Sequence, residues 1–240
     1  MRTKTMCKLA CKLTRPAALL AAAVLAALGG SAQAEDTDQG HIQVKLLGSA
    51  ILPSGAVTKV NNDAAKLVSS GAVTNTKAND NAVPTVAIEY FFTRNISVET
   101  ICCITGHHVS ISGGAAKGQG AIDNVQIIPA TFTAKYHLPL GHGIKPYAGV
   151  GPAMFIVLAD NPSDFVRSLG VTRTKLSSEF GVAVQGGVDV AIGHGFGITF
   201  DAKKYWVGTN AHFYAGGTEV LSTRHKLDPW VLSGGISYRF

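Results

Sequence analysis

His108 and Ser110 come nearest in this chain to a nucleophilic pair. Two residues apart on a strand they share a face, as a lipid hydrolase acting by Ser attack with His as base requires. Spacing identifies no orienting acid, and Ser and His beside a loop mouth are ordinary surface residues, so hydrolysis stands as an alternative and no catalytic residue is assigned. Cys102 and Cys103 are neighbours. On a strand they point to opposite faces and a bridge would strain the backbone, so two buried free thiols are expected. No metal site is assigned, because His107 and His108 have no second ligand pair at a recognisable spacing. His142, His194, His212 and His225 are scattered over expected turns and loops. Gly149-Val150-Gly151 lies inside a strand, not ahead of a helix, and reads as a packing site rather than a phosphate loop; no cofactor is expected.

Net charge argues against a nucleic-acid partner. The chain has 21 Lys and Arg against 15 Asp and Glu, but Arg2, Lys4, Lys8, Lys12 and Arg15 lie in the first fifteen residues. The rest of the chain is close to neutral. Met1 to Arg15 is a cationic n-region, Ala17 to Leu28 an apolar h-region, and Ala32-Gln33-Ala34 a small-x-small pattern. Residues 1–34 are therefore expected to be a secretory signal peptide cleaved before Glu35, with export through the periplasm. An uncleaved anchor competes, weakened by Pro16, by Gly29-Gly30 and by the cleavage pattern.

Residues 35–240 hold no apolar run long enough for a membrane helix. They hold eight segments rich in β-branched and aromatic residues at period two, near 41–52, 83–92, 96–105, 125–136, 144–158, 175–192, 196–207 and 226–240. Connections alternate in length. Those near 93–95, 137–143 and 193–195 are short, whereas those near 53–82, 106–124, 159–174 and 208–225 are long and polar. Such alternation is what an all-β, eight-stranded antiparallel up-and-down transmembrane β-barrel in a bacterial outer membrane produces. The long connections read as disordered polar loops or, around Asn62 to Val68 and Asn161 to Phe165, as short capped helical turns. At the carboxy terminus Ile236, Tyr238 and Phe240 alternate onto one face and end on an aromatic. That resembles the signal by which outer-membrane assembly machinery recognises its substrates, although a soluble edge strand could end so.

With Tyr238 and Phe240 toward lipid, Ser237 and Arg239 face inward. The same sorting puts Ile96, Val98, Thr100 and Cys102 outside and Ser97, Glu99, Ile101 and Cys103 inside. It puts Val182, Val184, Val188 and Val190 outside, with Gln185 and Asp189 inside. Phe200, Ala202 and Trp206 then face lipid, Asp201 and Lys203 face the lumen, and Lys204 snorkels to an interface. The lumen-lining candidates are thus Glu99, Ile101, Cys103, Gln185, Asp189, Asp201, Lys203 and Arg239. Their charges have both signs and can satisfy one another, either as a plug stiffening a small barrel or as part of a conducting path.

The stretches Val83 to Thr93, Asn95 to Thr100, Lys145 to Gly151, Gly187-Val188-Asp189, Lys226 to Val231 and Tyr238-Arg239-Phe240 resemble the OmpW family of outer-membrane proteins. The resemblance implies a narrow, largely hydrophobic channel with a gap in its wall through which apolar molecules leave into the membrane. It implies small hydrophobic solutes and outer-membrane lipids as partners. It also implies an apolar constriction at Ile101, with an aromatic contributor near Lys203 that this chain lacks. Three roles stand as expectations: a porin-like passive transport channel or carrier for hydrophobic molecules, a structural or adhesive barrel acting through its external loops, and the lipid hydrolase.

Overall fold

The computed structural model describes residues 41–240. The expected signal peptide lies outside them. In chain order the strands are β1 (Ile42–Leu52), β2 (Ala56–Asn62), β3 (Asn75–Ala78), β4 (Asn81–Phe91), β5 (Ile96–Cys102), β6 (Thr105–Gly113), β7 (Gly120–His137) and β8 (Ile144–Pro162). A one-turn helix, α1 (Asp164–Ser168), precedes β9 (Arg173–Leu176), β10 (Glu179–Gly193), β11 (Phe196–Trp206), β12 (Gly208–Ala215), β13 (Thr218–Lys226) and β14 (Trp230–Arg239).

Eight strands close a ring. The order β7-β5-β4-β1-β14-β11-β10-β8 returns to β7 through the β7–β8 ladder, and every pairing in it is antiparallel. Period-two alternation drives the closure. In β5, Ser97, Glu99 and Ile101 are buried while Ile96 and Cys102 are exposed, and in β11 Asp201, Lys203 and Tyr205 are buried while Phe200 and Trp206 are exposed. Each barrel strand thereby gives one face to the interior and one to lipid. At the short-turn end, outward aromatics stack edge to face, with ring centroids 4.8 Å apart for Phe196 and Tyr238 and 4.7 Å for Tyr238 and Phe240.

The long connections correct an expectation, because they are folded. β2, β13, β12 and β9 form a second antiparallel sheet, and β3 pairs with β6, which pairs with the start of β7. The segment expected as one strand from Lys175 to Ile192 is two, β9 and β10, parted at Ser177 and Ser178. Of the two suggested helical turns, the second forms as α1, whose Ser163 hydroxyl accepts from the Val166 N–H. Around Asp63 the chain makes turns instead, with the Asp63 carboxylate accepting from the backbone N–H groups of Val68 and Ser69 at 3.2 and 2.7 Å. These elements fold because their inward residues, among them Ile111, Ile122, Val166, Leu176, Phe213 and Leu221, bury a continuous apolar core above the barrel.

Closure also limits side-chain size where strands approach. A Cβ on Gly151 would lie 1.9 Å from the carbonyl oxygen of Phe132, whereas one on Gly48 would meet nothing nearer than 3.9 Å. Gly151→Ala should destabilise the barrel by about 1–3 kcal/mol, and Gly48→Ala should change it by less than about 0.5 kcal/mol. Urea unfolding in lipid vesicles measures both.

Candidate functional site

The barrel interior has two chemically distinct halves. Toward the short turns it is filled by buried ions. Glu99 accepts from three ammoniums, Lys45 at 3.0 Å, Lys135 at 2.9 Å and Lys203 at 3.0 Å. Lys45 and Lys135 also reach Glu89, at 2.7 and 2.9 Å, and Lys203 reaches Asp201 at 2.6 Å. Lys45 lies 3.4 Å from Asp189, whose other contact is the Thr199 hydroxyl at 2.6 Å. Hydroxyls and rings add further contacts. Tyr147 donates to Asp201 at 2.9 Å, its ring lies 3.6 Å beneath the Lys135 ammonium, and His137 contacts Glu89 at 2.8 Å. Gln185 links Thr133 and Glu99 at 2.8 and 3.3 Å. At the mouth Arg239 donates to Gln43 and stacks 4.3 Å from the Phe91 ring centroid.

Such a cluster is possible only because it is mutual. An isolated ion here would meet the full desolvation cost, whereas Glu89, Glu99, Asp189 and Asp201 face Lys45, Lys135 and Lys203 and the two signs satisfy one another. Lys45 and Glu89 are fully buried. The half toward the short turns is therefore packed with side chains rather than open.

Above the ions lies a small space lined by Leu47, Ser49, Ile101, Cys103 and Lys203, among others. Ile51, Pro129, Tyr205 and Val231 line both this space and a larger cavity beyond it, so they form a collar between the two. Tyr205 is fixed there by an edge-to-face contact with Phe155, 5.3 Å between centroids, and by Thr131 at 3.3 Å from its hydroxyl.

The larger cavity lies between the barrel top and the outer sheet and is open at its mouth. Val109, Ile122, Val125, Ile127, Phe155 and Leu176 line it with a few polar residues. Those polar groups are engaged elsewhere. His107 contacts Thr105 at 2.9 Å and the Asn79 carbonyl at 2.8 Å, while His225 contacts Thr223 at 2.7 Å and Thr76 at 3.1 Å. Thr209 donates to the Ser177 carbonyl at 2.9 Å, and Ser177 donates to Glu179 at 2.8 Å. No Lys, Arg, Asp or Glu is among the lining residues.

The structure places Glu99, Gln185, Asp189, Asp201, Lys203 and Arg239 in one interior network and Ile101 and Cys103 just above it. Cys102 and Cys103 are free, but only Cys103 is buried; Cys102, on the outward face of β5, is exposed, which corrects the expectation of two buried thiols. Lys203, where the resemblance implied an aromatic contributor, is instead an ion-pair partner, and Tyr205, one inward position along, supplies the aromatic ring. The implied hydrophobic lumen is corrected to an apolar upper half over an ionic lower half. Lys45, Glu89, Lys135, His137 and Tyr147 were missed. Lys45 and Glu89 sit at inward parity beside Leu47 and Ala87, which was the available signal. Ile236, Tyr238 and Phe240 lie on the outer wall. His108 lies 3.4 Å from Asp123 and Ser110 3.5 Å from the Lys77 carbonyl, with no hydrogen bond between His108 and Ser110 among those of the described residues.

Two measurements probe the ions and the cover over the cavity. Glu99→Gln leaves three buried ammoniums short of a carboxylate and should cost about 3–5 kcal/mol of unfolding free energy, read by urea titration. The second concerns the cover. His107 and His225 hold the 53–82 segment through Asn79, Thr76 and Gly55. Burial holds both imidazoles below their usual pKa. Above the ordinary value of about 6.5 both folded and opened forms are neutral and nothing changes. Below it the opened form binds protons that the closed form refuses, so the cover loses stability as pH falls. Hydrogen exchange of residues 53–82, corrected for intrinsic rates, should rise at pH 5 relative to pH 7.5, and His225→Gln should reduce that rise.

A profile described as the OmpW family matches residues 38–240. Outer membrane protein W of Vibrio cholerae is 26% identical to the chain, over 91% of it and 96% of the relative. The outer-membrane protein y4mB of Sinorhizobium fredii is 30% identical, over 67% of each. Among solved structures, OprG of Pseudomonas aeruginosa superposes with a TM-score of 0.70 at 20% identity, covering 84% of this chain and 96% of that one. AlkL in lipid bilayers superposes at 0.66 and 21% identity, covering 88% and 95%. The closed barrel and these likenesses place the protein in the outer membrane, its short turns periplasmic and its second sheet external. The chain belongs to the OmpW family.

Proposed function

We propose that this barrel is a passive, non-enzymatic path for small hydrophobic molecules, which enter the external cavity and leave sideways into the membrane. The observation that carries the reading is the cavity itself. Its lining is largely apolar, and its polar side chains are held in hydrogen bonds to other protein groups. Below it the ion network offers an apolar solute no favourable place, since entry would break charge pairs without replacing them.

The wall beside the cavity supports lateral exit. The β5–β7 ladder ends at Ile101 and Thr131, and the β6–β7 ladder begins at Thr105 and Ile127. Between them Pro129 has no N–H to donate, and Cys103 and Ile104 belong to no strand. Pro129 borders both interior spaces and Cys103 the smaller one, while Cys102 and Ile104 are exposed on the outer side. An apolar molecule held at the Tyr205 collar thus has a weakly laddered stretch of wall next to it. The outward row of Ile236, Tyr238 and Phe240 is consistent with recognition by the assembly machinery. Folding of the external segments into a sheet favours a second reading, a receptor acting through that sheet.

Ala211, buried and facing the cavity, tests the first reading. In vesicles, the wild-type protein should speed transfer of a small apolar dye from the external side into the bilayer. Ala211→Trp should slow it by at least about tenfold, equivalent to about 1.4 kcal/mol of lost occupancy. Pro129→Val should slow delivery while leaving dye binding intact. Wild-type transfer at the rate of protein-free vesicles would overturn the reading.

A further inference from the structure

We propose that the outer wall above β11 and β14 binds the phosphate groups of a phosphorylated glycolipid of the outer leaflet, through Lys59, Lys204, Arg224 and Lys226. The inward and outward parity of the barrel runs unbroken through Val207 into β12, where Thr209, Ala211 and Phe213 are buried. It runs likewise from β14 back into β13, where His225 faces the cavity and Arg224 and Lys226 face out. The lipid-facing wall and the external wall are therefore one continuous surface.

Its chemistry changes across one line. Below lie Phe200, Ile198, Leu232 and Ile236, exposed and apolar, topped by Trp206 and Trp230. Tryptophan at the edge of an apolar band marks the membrane interface. Gly208 and its cross-strand partner Lys226 stand two residues past Trp206, roughly 7 Å along the strand. Arg224 is one outward position further, but its guanidinium folds back: a Cβ on Gly208 would lie 3.6 Å from Arg224 Nη2. Lys59 is directly opposite Arg224 across the β2–β13 ladder. Lys204 reaches the same level from below, its ammonium 5.2 Å from the Trp230 ring centroid and 2.5 Å from the Asp228 carbonyl.

Four cations thus converge where headgroups lie, and the acidic complement is thin. Asp228 pairs with Lys226 at 3.1 Å, and its other oxygen accepts the Val207 N–H at 2.7 Å. Arg224 and Lys59 have no carboxylate partner among the described residues. An exposed guanidinium presents a planar fork of donors that matches a phosphate, and an ammonium adjoining it adds a point charge. A glycolipid anchored by its acyl chains on the apolar wall would bring its phosphates to this height. The inference stands whether or not the cavity carries solutes.

Lipid A with both phosphates and its dephosphorylated form, matched in acyl chains, are the probes, presented in micelles and read as bound adducts by native mass spectrometry. The wild-type protein should retain the bisphosphorylated form about tenfold over the dephosphorylated one, a gap that added salt narrows. Lys59→Ala with Arg224→Ala should abolish the preference, Arg224→Lys should keep part of it, and Lys117→Ala, elsewhere on the exterior, should keep it whole. Heat-shifted gel mobility verifies that each variant is folded. Equal retention of the two lipids by the wild type, or an unchanged preference in the double variant, would overturn the proposal. So would full displacement of lipid A by inorganic phosphate, which would mark a site for the free ion.

Discussion

Glu99 is held by three ammoniums inside a barrel too narrow to hydrate them, and the rest of the structure is arranged around that contact. Its partners come from β1, β7 and β11, so the network ties together strands on different sides of the ring. Charges buried this deeply are tolerated only when every one has a counterpart. That requirement specifies the stagger of the strands more tightly than apolar packing could, since a slip of one residue would turn each charge toward lipid. The same contact divides the interior. Below it the lumen is filled, and above it apolar side chains leave room.

Filling the lower half gives the upper half its meaning. A water-filled pore would carry polar solutes straight through, but here the periplasmic half is occupied by Lys45, Glu89, Lys135 and their partners. The space that remains is lined by Ile, Val, Phe and Pro and stops at Tyr205. At that level, beside Pro129, the wall is interrupted between the β5–β7 and β6–β7 ladders. Apolar cavity, ionic floor and proline-interrupted wall form one sequence of environments around the Tyr205 collar.

Much of this was legible in the sequence, and the parts that were not have a physical reason. Period two is a local property, so the faces of Ile96 to Cys103, Val182 to Val190 and Phe200 to Trp206 could be sorted from neighbours alone. So could the inward position of Glu99, Asp189, Asp201 and Lys203. Which charges meet is a long-range matter: Lys203 and Glu99 are 104 residues apart, and their contact depends on the shear of the closed ring. The external sheet was hidden for the same reason. Residues 53–82, with five Asn, and 208–225, with three Gly, look like loops, yet Thr58 donates to the Arg224 carbonyl across 166 residues of chain. Tyr205 was overshadowed by Lys203, where the family likeness directed attention.

On the function proposed above, apolar molecules occupy the upper cavity and are stopped by the ions beneath it. Crystals soaked with a short iodoalkane test it directly, because the anomalous signal of iodine locates the ligand. The account predicts iodine between Tyr205 and His225, with none at the level of Glu99 and Lys135. Iodine among the Glu99 ion pairs, or none in the cavity at saturating ligand, would contradict it.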